Sequence, residues 1–166
     1  MPGLGILFPL ESSDDLDLGL AKWLGTRMLQ EPGDIWTRLP TPATGVGVAV
    51  ERPTLPDKVW NSAEQELSLS AAVVGEIHDG PENPAAALLA SYIDHGRPDF
   101  EWLDGSFSAV IWDGRRRTAF IATDSTGSRP VFFGSSSSCV CVAPKASIVA
   151  EFMRMTAGTL PPIRPD

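Results

Sequence analysis

A chain of 166 residues, 43% hydrophobic and 20% charged, has the make-up of one globular domain with a proper core and is too short for two of ordinary size. Its net charge of −8 argues against nucleic acid or an anionic membrane surface as the main partner. No basic segment precedes an apolar one at the N-terminus and no apolar run reaches membrane-spanning length, so a cytoplasmic protein away from the membrane is expected.

Gly3 to Phe8 (GLGILF) is short, apolar and stopped by Pro9, which suits a buried strand. The acidic, serine-rich segment from Glu11 to Asp17 reads as a loop that offers capping groups to a following helix. Leu16, Leu20, Trp23, Leu24 and Met28 recur at three- and four-residue spacing, so a helix is predicted from about residue 16 to 30, weakened by Gly19 and Gly25. Prolines and Gly33 break the chain from Glu31 to Pro42, leaving Asp34 to Leu39 as a short edge strand. Gly45 to Val50 (GVGVAV) is a second strand, ended by Arg52-Pro53, and residues 53–63 read as loop. Glu66 to Ile77 is a strand entering the core, and Asp79 to Pro84 is a turn-rich break. Pro84 to His95 is the clearest helix, with Asn83 as N-cap, Pro84 at the first helical position and Gly96 as the stop. His95 in its last turn is assigned to the helix dipole or solvent rather than to catalysis.

The stretch from Trp102 to Gly134 organises the rest. Two apolar runs, Ser106 to Trp112 and Thr118 to Thr123, flank Asp113-Gly114, a pair that tolerates the positive φ angles of a tight hairpin turn. Apolar residues on both faces predict strands covered on both sides. The only basic run, Arg115 to Arg117, falls at the hairpin tip and is better explained as a solvated turn than as a phosphate site. Arg129 to Phe133 and Ser138 to Ala143 form a further strand pair around a serine-rich turn. Cys139 and Cys141 would face one side of that strand, badly placed for a mutual disulfide and with no histidine nearby for a metal. They read as buried small hydrophobes, and no metal is expected. Ala146 to Met155 is a last helix, and residues 158–166, with three prolines, are a tail or linker after a domain of residues 1–157. Strands that follow one another predict an α+β domain of mainly antiparallel sheets covered by helices.

Four motifs in order, PGLGILF, VVGEIHDG before the helix from Pro84, LDGSFSAVIWD and ATDSTGSRPVFF, resemble the glutaminase domain of the class II glutamine amidotransferases. The likeness is to the N-terminal domain of asparagine synthetase and its relatives in particular. It spans roughly residues 1–152, with residues 10–65 only loosely matched. It implies an Ntn-hydrolase-like (N-terminal-nucleophile) four-layer αββα sandwich of two mainly antiparallel sheets. In the family a cysteine exposed by removal of Met attacks the glutamine amide, with the terminal amine as base.

The resemblance places Pro2 at the nucleophile, so no catalytic residue is expected. It places Val74 where the family has an asparagine, and valine cannot donate to an oxyanion. Pro84 stands where the family has an acidic residue for the glutamine amino group, and Arg52 aligns loosely with the arginine for the substrate carboxylate. A vestigial pocket of Val74, Gly75, Glu76 and Asp124 is what remains, although an aspartate ahead of a glycine turn also serves simply to bond local backbone.

In this eroded form the chain looks like the corresponding domain of β-lactam synthetases and lasso-peptide macrolactam synthetases. Those relatives adenylate a carboxylate with ATP, close the amide with an internal amine and need no ammonia. The implied function is a catalytically silent domain supporting an ATP-dependent, asparagine-synthetase-like amide synthetase on a second domain or chain. ATP and Mg would bind that partner through an S-G-G-x-D-S loop, which is not present in this sequence, and no cofactor is expected on this chain. A homo-oligomer is compatible with the sequence. Trp23, Trp36, Trp60 and Trp102 are candidates for an exposed docking patch, though each alone also suits a core. The alternative is a stand-alone small-molecule-binding or regulatory module using Glu76 and Asp124. A residual hydrolase using the secondary amine of Pro2 as a base is the weakest enzyme hypothesis.

Overall fold

The computed structural model of the chain describes residues 3–9, 18–41, 45–136 and 139–157. In chain order its elements are β1 (Gly3–Pro9), α1 (Leu18–Met28), β2 (Ile35–Leu39), β3 (Val46–Glu51), β4 (Lys58–Glu64) and β5 (Leu69–Ile77). There follow α2 (Pro84–His95), β6 (Gly105–Asp113), β7 (Thr118–Thr123), β8 (Phe132–Ser135), β9 (Cys139–Ala143) and α3 (Ala146–Ala157). The strands form a five-stranded sheet, β2-β3-β1-β9-β8, and a four-stranded sheet, β4-β5-β6-β7. Every pairing is antiparallel.

Three apolar layers hold these elements together. Leu24 and Met28 of α1 and Phe152 of α3 pack on Val46, Val48 and Cys141 of the larger sheet. Leu88 and Tyr92 of α2 pack on Val73, Ala109 and Ile111 of the smaller one. Between the sheets lie Leu4, Ile6, Ala72, Val74, Val110 and Trp112. The order is therefore helices, sheet, sheet, helix, the expected αββα sandwich. Alternation along β5 and β6 sends successive side chains to opposite layers, which is why both strands are apolar on both faces.

Local chemistry explains α2. The Asn83 side chain accepts from the Ala86 N–H, Pro84 occupies the first turn, and Gly96 closes the helix in a left-handed conformation at φ 70°. Tyr92 then ties this helix to β6 by donating to Asp113 Oδ2 at 2.8 Å.

Several expectations need correction. Residues 53–63, read as loop, include β4, whose Lys58, Asn61 and Glu64 are exposed while Val59 and Trp60 are half-buried. Prolines 53 and 56 and the polar side chains suggested a loop, but an outer strand needs only one apolar face and one partner. β5 begins at Leu69 rather than at Glu66, because residues 65–68 make the β4–β5 turn with Ser68 at φ 53°. The β6–β7 hairpin forms, yet its loop is the four residues Gly114 to Arg117, and the positive φ falls on Arg117 (51°), not on Gly114. An Asp113 carboxylate that accepts from the Arg116 N–H at 2.9 Å shapes this turn. β7 is an outer strand of its sheet and only half-buried, not a central one. β8 starts at Phe132 and joins the other sheet, so the Trp102–Gly134 stretch contributes to both. α1 falls within its predicted span, and residues 158–166 lie outside the described residues. Among the described residues no helix is long and apolar enough to cross a membrane.

Candidate functional site

The sequence-predicted pocket lies where β5 ends against the start of β6. Gly75 has φ 146° and Gly105, two positions off across the ladder, has φ 142°. A Cβ on Gly75 would meet the Ser106 carbonyl oxygen at 2.0 Å, and one on Gly105 the Glu76 carbonyl oxygen at 2.0 Å. The two glycines of the GE and LDG motifs thus let the strand ends approach within the space of a missing methyl group.

Arg129 lies over this contact, with its Nε 3.0 Å from the Gly75 Cβ position. It donates through Nε to the Ser106 carbonyl at 2.9 Å and through Nη2 to the Asp57 carboxylate, both side chains being buried. The structure therefore brings Gly75, Ser106, Arg129 and Asp57 into one cluster. Sequence reasoning missed the last two, because the ion pair joins residues 72 positions apart.

Asp124 is 6% exposed and fully engaged. One carboxylate oxygen accepts from the Thr126 and Ser128 N–H groups and the Thr126 hydroxyl; the other accepts from the Phe107 N–H and the Ser128 hydroxyl. Burial alone would raise its pKa, but the Ser128 and Thr126 hydrogen bonds outweigh it and hold the carboxyl well below the usual range. Asp124 is the keystone of the loop between β7 and β8, as the local-turn reading had it. Glu76, by contrast, is exposed.

Val74 is completely buried and faces the layer between the sheets. Its partner across the ladder is Ser108, whose buried hydroxyl has no hydrogen-bond partner. Pro84 is buried in the first turn of α2. Pro2 lies outside the described residues. Arg52 donates to Asp34 at 2.7 Å, and that hydrogen bond is the main reason the Asp34 carboxyl stays well below the usual range. Gln30 and Glu31 N–H groups bond the other Asp34 oxygen. The Nη2 of Arg52 is buried without a partner.

The remaining candidates resolve simply. Cys139 and Cys141 are free and buried, and burial pushes the Cys141 thiol up to about 12. His95 is exposed and its Nδ1 lies 3.0 Å from the Ser91 carbonyl. Arg115 to Arg117 are exposed at the hairpin tip. None of the four tryptophans offers an exposed patch: Trp23 and Trp36 pack on the α1–α3 layer, and Trp60 and Trp102 on the α2 layer. Among the described residues no cluster of three or more histidine, cysteine or carboxylate groups could hold a metal ion. Among the described residues a groove of about 660 Å³ lies elsewhere, on the side of the sandwich between β7 and β8.

A family model described as a glutamine amidotransferase domain matches residues 60–151, more than half of the chain. The matched span runs from β4 into α3 and holds Val74, both close-approach glycines, Asp124 and Arg129. No curated protein matches the chain.

Proposed function

The chain belongs to the glutamine amidotransferase domain family, and from that premise we propose that it is a glutaminase-like domain without glutaminase activity. Its role is to support an ATP-dependent amide-forming synthetase of the asparagine synthetase type, of the β-lactam or macrolactam kind, carried on a second domain or chain. ATP and Mg are that partner's ligands, and the cytoplasm is the expected location.

The observation that carries this reading is Val74. At the end of β5 the family likeness calls for an asparagine that donates to a developing oxyanion, and here an isopropyl group is buried between the sheets. Pro2 at the nucleophile position supports the same reading, since it offers no side-chain nucleophile. The Arg129–Asp57 pair supports it too, because the polar groups nearest Gly75 neutralise one another rather than face a ligand.

The test has two parts. Purified chain incubated with glutamine should release no ammonia above background, and release at rates typical of enzymes would overturn the reading. An adjacent reading frame, or a continuation of this one, should carry an S-G-G-x-D-S loop. Its product should form an amide from ATP and a carboxylate more efficiently with this chain than without it.

One observation favours the alternative, a small-molecule-binding module. The buried Nη2 of Arg52 is an unsatisfied cationic donor of the kind a carboxylate would complete. A thermal-shift series with amino acids decides it: stabilisation that grows with ligand and vanishes in Arg52→Lys would favour a binding module.

A further inference from the structure

The outer edges of the two sheets are not alike. β2 carries Arg38 and runs into Pro40, β4 carries Lys58 and Glu64, and β8 is four residues long with Gly134 in it. Charges, prolines and shortness are the usual means of keeping an edge strand from pairing with another chain. β7, Thr-Ala-Phe-Ile-Ala-Thr, has none of them. Among the described residues nothing pairs with its far side.

The bond from the Asp124 N–H to the Phe107 carbonyl, 3.1 Å, sets the alternation along β7. Residues 118, 120 and 122 turn their N–H and C=O groups toward β6, and Ala119, Ile121 and Thr123 turn theirs outward. The same three residues line the 660 Å³ groove, whose other wall includes Val131, Phe133 and Val142. Phe133 is 76% exposed there. Among the described residues the layer between the sheets is thus open on this side, with unpaired backbone along its rim.

We infer that the outer edge of β7 is a strand-addition site: an apolar, acid-flanked β-strand of another polypeptide pairs with Ala119, Ile121 and Thr123 and closes the groove. Charge selects this occupant. In a chain of net charge −8, Arg115, Arg116 and Arg117 stand together at one end of β7, and Arg117 also lines the groove. Arg116 is offset by the Asp113 carboxylate 3.7 Å away, whereas Arg115 donates to the neutral carbonyl of Glu66, so the Arg115 charge is left for a partner. A second copy would bring −8 against −8. If the chain serves a synthetase, that enzyme supplies the strand, and this assignment alone rests on the proposed function.

The test uses the full chain and a blocked peptide of alternating valine and threonine with glutamate at both ends, beside a twin with lysine at both ends. The glutamate peptide should slow amide exchange at Ala119, Ile121 and Thr123 by about tenfold or more at saturation, bind more weakly as salt rises, and outbind its twin by about tenfold. Ala119→Pro should abolish binding, because that N–H points away from β6. Phe133→Ser should weaken it with no change in melting temperature, which separates docking from folding. Unchanged exchange at the three amides, equal binding of the lysine twin, or protection that appears in the chain alone and is lost on dilution would each overturn the inference, the last by assigning the edge to a second copy. Protection by the peptide but not by the synthetase would overturn only the identity of the partner. A synthetase that binds and leaves β7 unprotected would overturn the site and leave the proposed function standing.

Discussion

Gly75 and Gly105 secure each other's strand: each lacks the Cβ that would strike a carbonyl oxygen of the opposite strand at 2.0 Å. Both also hold φ angles near the far edge of positive φ space, 146° and 142°, where side chains are strained whatever the room. Gly75→Ala and Gly105→Ala should each lose at least ~2 kcal/mol in urea denaturation, strain and clash acting together. Gly127→Ala is the internal control. It has φ 63° and open space around it, so only the left-handed cost of roughly 1 kcal/mol should appear. Equal losses at all three positions would mean that the close approach contributes nothing.

Two carboxylates link stability to acid. Asp34 is held below its ordinary pKa chiefly by the Arg52 hydrogen bond. Asp124 is held there by Ser128 and Thr126 against the opposing effect of its burial. Both pKa values are lower folded than unfolded, so the unfolded chain binds more protons as acid is added. Their contribution is complete above the unfolded carboxylate range and is lost as pH falls below about 4 toward the folded values. Stability measured from pH 7 downward should be flat and then fall steeply. Asp34→Asn should be less stable at neutral pH and should show a shallower acid slope than the parent chain.

The helix from Pro84 to His95 was legible because its determinants are local: the cap, the first-turn proline and the stopping glycine sit within a few residues of what they act on. The turn role of Asp124 was legible for the same reason, since four of the five hydrogen bonds to its carboxylate come from Thr126 and Ser128. β4 was not. Its polar outer positions and the two prolines before it carry the pattern of a loop, and only its pairing with β5 makes it a strand. The Arg129–Asp57 pair was out of reach because no periodicity connects positions 72 apart. The tryptophans could not be sorted into core and surface either, since an isolated large aromatic suits both until the helix above it is placed.

The cysteines give a chemical check on the core. Burial raises the Cys141 thiol to about 12, with the neighbouring Cys139 adding to it, and both side chains are within the α1–α3 layer. The reacting thiolate is scarce at Cys141 and both side chains are buried, so neither should label with a disulfide reagent at pH 8 in the native chain, and both should label once guanidinium unfolds it. Fast native labelling of either would place that strand closer to solvent than it is here.

Val74 and Ser108 offer the sharpest test of the proposed loss of the pocket. They are cross-strand partners facing the layer between the sheets, and the Ser108 hydroxyl is buried with no partner of its own. An asparagine at position 74 would bring an amide to within side-chain reach of that hydroxyl. Val74→Asn should therefore destabilise the chain less than Val74→Asn in a Ser108→Ala background. The coupling should be about 0.5–1.5 kcal/mol, the net worth of one buried hydrogen bond. Ammonia release from glutamine should stay at background in both, since neither variant changes Pro2, the proposed nucleophile position. A cycle without coupling would mean that the hydroxyl and the amide do not meet, and that the serine is no remnant of a polar pocket. Coupling together with restored hydrolysis would mean that the chain holds a nucleophile other than the one its family uses.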